Sequence, residues 1–189
     1  MKKIPSGNTG YLDYKKKVLL IQVLISFGIV AAIFICGLII FHTRKNAVTI
    51  VAIVGVLPAA RCLVNYIVAA PHKSLAVNDA KEIRECAGEL PVLYDYVFTA
   101  KEGSYPVAAF ALSENTMCGL YSGKPEDISK AEKHIKSMLK SEGLHKFSVK
   151  LFSDKTQYLE RVKEMSGNLM PPGETGLSRL RSLFESITL

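Results

Sequence analysis

Residues 18–41 read VLLIQVLISFGIVAAIFICGLIIF and residues 47–70 read AVTIVAIVGVLPAARCLVNYIVAA, and these two apolar segments decide the fold. A helix of 24 residues rises about 36 Å, which is enough to cross the hydrocarbon core of a bilayer with some tilt. A signal peptide explains the first segment poorly, because its apolar run exceeds the ~7–15 residues of an h-region and no Ala-x-Ala-like cleavage site follows. Since a short polar turn joins the two segments, we expect antiparallel neighbours, a transmembrane α-helical hairpin.

The charge of the chain is concentrated around this hairpin. The whole chain has 24 Lys and Arg against 17 Asp and Glu, a formal net charge of +7. Residues 1–71 contain eight of the basic residues and one of the acidic residues, so residues 72–189 contain 16 of each and are neutral. A neutral C-terminal part argues against a nucleic-acid groove, and no nucleic-acid partner is expected.

The basic residues also predict the orientation of the hairpin. Five lysines precede the first span, and Lys15, Lys16 and Lys17 abut it directly. The turn between the spans contains two basic residues, Arg44 and Lys45. By the positive-inside rule we expect a multi-pass protein of the plasma membrane with both termini in the cytoplasm. The lysine cluster is interpreted as a topology determinant in contact with anionic lipid, since three adjacent lysines are too few to predict a specific lipid or nucleic-acid site.

Among the polar residues that interrupt the apolar segments are Gln22, Ser26, Arg61 and Asn65. An antiparallel turn centred on Arg44 brings Arg61 level with Phe27 and Ser26, and Asn65 level with Val23 and Gln22. Each pair on one span is four residues apart and shares a helix face, so we expect an intramembrane polar seam. A snorkelling arginine with interhelical hydrogen bonds is the preferred interpretation. A proton, ion or ligand path is the alternative, disfavoured because neither span contains Asp or Glu.

The residues after the hairpin predict a small cytosolic α+β domain, an α/β sandwich with the element order α-β-β-β-α-β-α. Apolar residues recur at helical spacing over residues 75–90 and again after residue 127. The predicted strands are residues 92–99, 107–112, 117–121 and 147–152. Ser129 and Glu132 have the spacing of a capping box, and Asp154 is expected to cap a third helix that ends near residue 165.

The order α-β-β-β-α-β over residues 76–153 resembles the core of restriction-endonuclease-like folds, including nuclease-related domains attached to membrane proteins. Residues 93–121, in which YPVAAF at 105–110 enters the second strand, are similar to their central hairpin. The resemblance implies an Asp at the second strand and Glu-x-Lys on the third, where carboxylates gather around Mg²⁺. Here those strands read VAAFAL and MCGLY without an acidic residue, so we expect no catalytic residue, metal or other cofactor.

Other reactive residues give weak signals. The four cysteines lack the Cys-x-x-Cys spacing of zinc or redox sites. A Cys118 nucleophile with His134 or His145 as its base is an alternative, although a strand cysteine is more often a packed residue. Asp95, Glu114 or Cys118 would be the candidate catalytic residues if the domain were a divergent hydrolase.

The C-terminal residues predict a linker and a short amphipathic helix. Residues 166–176 read SGNLMPPGETG, and residues 177–189 present an apolar face. A helix of barely three turns is marginal alone in water, so it should dock on its own domain, in a partner's groove or on the membrane surface. Its own domain is the preferred site.

Together these patterns predict a bacterial-type integral membrane protein that is non-enzymatic. A basic tail (1–17) and the hairpin (18–71) precede a cytosolic binding or assembly domain (72–165) and the linker with its helix (166–189). Expected contacts are membrane lipid and a second copy or a protein partner, through the hairpin or through residues 177–189. A membrane-tethered degenerate nuclease-like or divergent hydrolase domain is the alternative, and a small transport component that uses Arg61 is less favoured.

Overall fold

The computed structural model describes residues 4–41, 47–100, 103–168 and 172–187. The chain divides into two compact units. The first, called the α/β unit below, combines Met1–Leu12 with His72–Leu189. The second, the helical unit, is Asp13–Pro71.

The helical unit is formed by α1 (Tyr11–Phe41) and α2 (Ala47–Ala69), both long and apolar enough to cross a membrane. Only 11% of the most apolar window of each helix is buried within the protein, unlike the core helix of a soluble protein. The helices run antiparallel: the Ser26 hydroxyl donates to Cys62 Sγ at 3.8 Å, while Val30 packs against Gly55. This agrees with the hairpin expected from the sequence, although α1 begins seven residues before the apolar run that starts at residue 18.

The α/β unit is built on a four-stranded mixed sheet in the order β1-β2-β3-β4. Strands β1 (Val92–Ala100), β2 (Gly103–Leu112) and β3 (Thr116–Tyr121) are antiparallel neighbours. Strand β4 (Ser148–Phe152) pairs with β3 in parallel, which requires the crossover through helix α4 (Ile128–Ser141). Two apolar helices followed by a small α+β domain are the architecture that the sequence predicts.

Helices cover both faces of the sheet. On one face α3 (Val77–Ala87) and α5 (Lys155–Asn168) pack on small strand residues such as Ala109 and Ala111. On the other face α4 and α6 (Glu174–Ile187) pack on the large side chains that alternate with them, among them Phe110. The side chains of Leu180 and Phe184 are fully buried there, so the apolar face of α6 docks on its own domain.

Two helix starts test the capping predictions. Asp154 caps α5 as predicted, because its Oδ1 accepts the backbone N–H of Thr156 at 3.0 Å. The capping box at Ser129 is wrong: α4 starts earlier, at Ile128, after a 3₁₀ turn that begins at Pro125. The carboxylate of Glu132 accepts the backbone N–H of Leu151 in β4 at 2.8 Å, so a tertiary hydrogen bond replaces the local one.

Candidate functional site

The most unusual residue of the α/β unit is Asp95, in the middle of β1. Its side chain is 1% exposed, and its backbone has φ = +60°, the left-handed region that few non-glycine residues enter. The β2 strand is irregular at the same level, since its register against β3 shifts between Val107 and Ala109. Asp tolerates this conformation better than most residues because its side chain can form hydrogen bonds close to the backbone.

The carboxylate of Asp95 binds two chain segments that are far apart in sequence. Its Oδ2 accepts the backbone N–H of Gly10 at 2.9 Å, and its Oδ1 accepts the backbone N–H of Leu75 at 3.0 Å. The backbone N–H of Leu12 and the hydroxyl of Ser74 also hydrogen-bond to it. We call these five residues the Asp95 clasp. Because α1 starts at Tyr11, the carboxylate acts as an N-cap supplied by a different element.

Burial and hydrogen bonding act in opposite directions on this carboxyl group. Desolvation raises the pKa of Asp95 above its ordinary value, and the hydrogen bonds from Leu75, Ser74, Gly10 and Leu12 lower that pKa, with a net shift upward. Burial of the carboxylate is tolerated because donors surround it.

Further contacts extend the attachment on either side of the clasp. The backbone N–H of Tyr94 donates to the carbonyl oxygen of Gly7 at 2.9 Å, so the N-terminal segment pairs with the edge strand β1. Gly7 has φ = +81°, a conformation that favours glycine, and a Cβ there would lie 2.9 Å from the hydroxyl of Tyr96. On the other side, His72 Nε2 and Ser104 Oγ are 3.0 Å apart.

The sequence identified Asp95 only as a candidate hydrolase residue and missed its role in joining segments. The available signal is a single acidic residue inside LYDYVF, a stretch otherwise suited to burial. A lone charge in a buried strand requires internal partners, but no local pattern says which ones.

The other candidate catalytic residues lie in separate environments. Cys118 is fully buried in β3 on the face covered by α3 and α5, whereas His134 lies on α4 across the sheet. Glu114 is exposed in the β2–β3 turn, and His145 is exposed after α4. Burial raises the pKa of the Cys118 thiol, against the lowering effect of the Arg161 guanidinium. A protonated, buried thiol is a poor nucleophile.

The four polar residues of the predicted seam differ in burial on α1 and α2. The side chain of Ser26 is half-buried at the contact with Cys62, while Gln22, Arg61 and Asn65 are exposed. The polar seam stays a prediction.

The predicted lipid-contact lysines lie near the start of α1. Lys16 forms an ion pair with Asp13 at 2.9 Å, and the side chain of Lys17 is exposed. Their contact with anionic lipid, together with that of Lys15, also stays a prediction.

Within the described ranges, no group of three or more His, Cys, Asp or Glu side chains is placed to hold a metal ion. Comparison of the chain with protein-family models, with curated proteins and with solved structures finds no match.

Proposed function

We propose that this chain is an integral membrane protein whose helical hairpin anchors a small binding or assembly domain at the cytoplasmic face of the plasma membrane. The observation that carries the proposal is the surface of α1 and α2. Large apolar side chains are exposed along both helices; Leu24, Ile39 and Leu57 are each about two-thirds exposed, at 65%, 66% and 71%. Burial of each such side chain is worth ~1.5–3 kcal/mol, so a hydrocarbon environment would stabilise this surface strongly.

The distribution of charge supports the cytoplasmic position of both termini. The basic residues that precede the first apolar run outnumber those between the two runs by five to two. A neutral domain beside an anionic membrane surface would be neither attracted nor repelled by net charge. The excess charge therefore acts on the orientation of the hairpin.

A non-enzymatic role is supported by the surroundings of the candidate catalytic residues. The Asp95 carboxylate is engaged by hydrogen bonds from the chain itself, and the buried thiol of Cys118 has a raised pKa. A general base or nucleophile must reach its substrate, and these groups are buried.

Membrane insertion and topology can be tested on the full chain in cells. Alkaline carbonate should leave the protein in the membrane fraction. A cysteine introduced between the apolar runs (Thr43→Cys) should react with a membrane-impermeant maleimide in intact cells. A cysteine in the β2–β3 turn (Glu114→Cys) should react only after permeabilisation, and peptide-resolved mass spectrometry separates these positions from the native cysteines. Release by carbonate would overturn the anchor, and labelling at position 114 from outside would overturn the orientation.

A degenerate nuclease-like domain is the second candidate. The element order from α3 to β4 is the order on which the nuclease resemblance rests, and this observation favours it. The test is incubation of the detergent-solubilised full chain with DNA and Mg²⁺ or Mn²⁺. Salt-dependent DNA binding would support the degenerate nuclease-like candidate, and metal-dependent cleavage that disappears with EDTA would also overturn the non-enzymatic proposal. Absence of both DNA binding and cleavage would leave the binding or assembly role as the better one.

A further inference from the structure

We propose that the Asp95 clasp is a conformational device that fastens to β1 the two segments of the α/β unit that flank the hairpin in sequence. One fastened segment is residues 4–12, which lead into α1. The other is residues 72–76, which follow α2 and precede α3. The proposal rests on the α/β unit and does not require membrane insertion.

A single carboxylate connects the two segments. Oδ2 accepts the backbone N–H of Gly10 and Oδ1 accepts that of Leu75, so release of either segment removes a hydrogen bond from the buried carboxylate. The hydroxyl of Ser74 and the backbone N–H of Leu12 bind the same group. Release of one segment therefore weakens the environment that holds the other, which makes the two attachments cooperative.

The backbone of β1 is distorted at the position where the clasp forms. Asp95 keeps its left-handed backbone in the middle of a strand, a conformation that persists only when the surrounding structure determines it. Its carboxylate faces four hydrogen-bond donors, and donors would repel a cation. The arrangement therefore suits attachment of the chain and not the binding of a metal ion.

Two contacts outside the clasp also hold these segments against the sheet. The Tyr94–Gly7 backbone hydrogen bond holds the first segment along the edge of β1. The contact between His72 and Ser104 holds the second segment against β2. The clasp lies between these two contacts and joins them through one side chain.

The test is hydrogen exchange, followed by mass spectrometry, on the full chain in detergent micelles. Asp95→Asn replaces one acceptor oxygen by an NH₂ group that faces backbone N–H donors. We expect peptides covering residues 5–12 and 72–76 to exchange about tenfold faster or more, because local opening governs exchange. Peptides covering residues 107–121 should keep their protection. The matched control is Asp127→Asn, which makes the same charge change at an ion pair with Lys130 on the surface.

The outcomes separate a clasp from a general structural role. Unchanged exchange in either fastened segment would overturn the proposal, and so would an equal acceleration across the whole sheet. If Asp95→Asn fails to fold, Ser74→Ala decides, since it removes one donor and keeps the carboxylate. Faster exchange in both fastened segments of this variant would support the clasp. Wild-type rates in residues 5–12 would overturn it.

Discussion

Phe184 is the residue whose removal should most clearly separate α6 from the sheet. Its side chain is 1% exposed. Its ring centroid lies 5.1 Å from that of Tyr96, 5.2 Å from that of Phe98 and 5.6 Å from that of Phe110. The contacts with Tyr96 and Phe98 are edge-to-face, the geometry that aromatic quadrupoles favour. Phe184→Ala removes this ring from the centre of an aromatic cluster.

The expected cost follows from the burial of the ring. Truncation of a buried Phe to Ala costs ~3–5 kcal/mol, part of it from the cavity that remains. Helix α6 has 14 residues and is only marginally stable when it is not packed on the sheet, so it can detach before the sheet unfolds. Detachment would limit the loss in global unfolding free energy to the docking free energy of α6. We therefore expect a loss of about 3 kcal/mol, or ~10²-fold in the opening equilibrium.

The assay uses the buried thiol of Cys118 as a reporter. Cys118 is fully buried on the face of the sheet opposite Phe184, under α3 and α5, so detachment of α6 alone does not expose it to a maleimide. Labelling of the full chain in detergent, resolved by peptide mass spectrometry, gives the opening equilibrium when the unit recloses faster than the reagent reacts, and hydrogen exchange reports α6 separately. Half-buried Cys86 serves as the internal reference for reagent activity. The control is Ser182→Ala on the exposed side of α6.

Two results decide whether the Phe184 ring holds α6 on the sheet. Faster exchange in α6 together with faster labelling of Cys118 is the expected result, and unchanged labelling of Cys118 would contradict the predicted loss in global stability. Wild-type behaviour in both measurements would refute the reasoning that the Phe184 ring holds α6 on the sheet.

Further predictions concern the sheet. In Gly119→Ala the new Cβ would lie 2.6 Å from Leu151 Cδ2 and 2.7 Å from Phe110 Cε1, so we expect ~1–3 kcal/mol of destabilisation in denaturant unfolding. Glu132→Ala leaves the Leu151 N–H without its acceptor; a cost of ~1–3 kcal/mol should appear as faster amide exchange in β4, and unchanged exchange would contradict it. Burial raises the pKa of Tyr121 from 10.0 to about 12, so its stabilising contribution is complete below pH 10 and is lost as the pH rises toward 12. Alkaline unfolding should therefore be less steep in Tyr121→Phe.

The sequence predicts those elements whose signals are local. The apolar run at residues 107–112 predicts a strand, and it lies within β2 (Gly103–Leu112). The spacing of Leu180 and Phe184 predicts one apolar face of α6, and both side chains are buried on the sheet. Periodicity succeeds for α6 because burial of one face is the dominant energy of a short amphipathic element.

The remaining features depend on residues far apart in sequence. Asp95 is 85 positions from Gly10 and 20 from Leu75, so no window of the sequence contains the clasp. Glu132 fits a local capping box by spacing, yet its carboxylate hydrogen-bonds to β4, 19 positions away. The early start of α1 has the same origin, since its cap comes from β1 and hydropathy detects only the apolar part.

The α/β unit therefore includes residues from both sides of the hairpin and is not one continuous stretch of sequence. A cut after Pro71 would keep the sheet and its helices but remove residues 4–12, which supply donors to Asp95 and the carbonyl oxygen that pairs with Tyr94. The buried carboxylate would then lack half of the partners that make its burial tolerable, and the edge of β1 would be exposed. The residues before the hairpin complete the domain that follows it, so the hairpin is an insertion within the α/β unit and not an extension at its end.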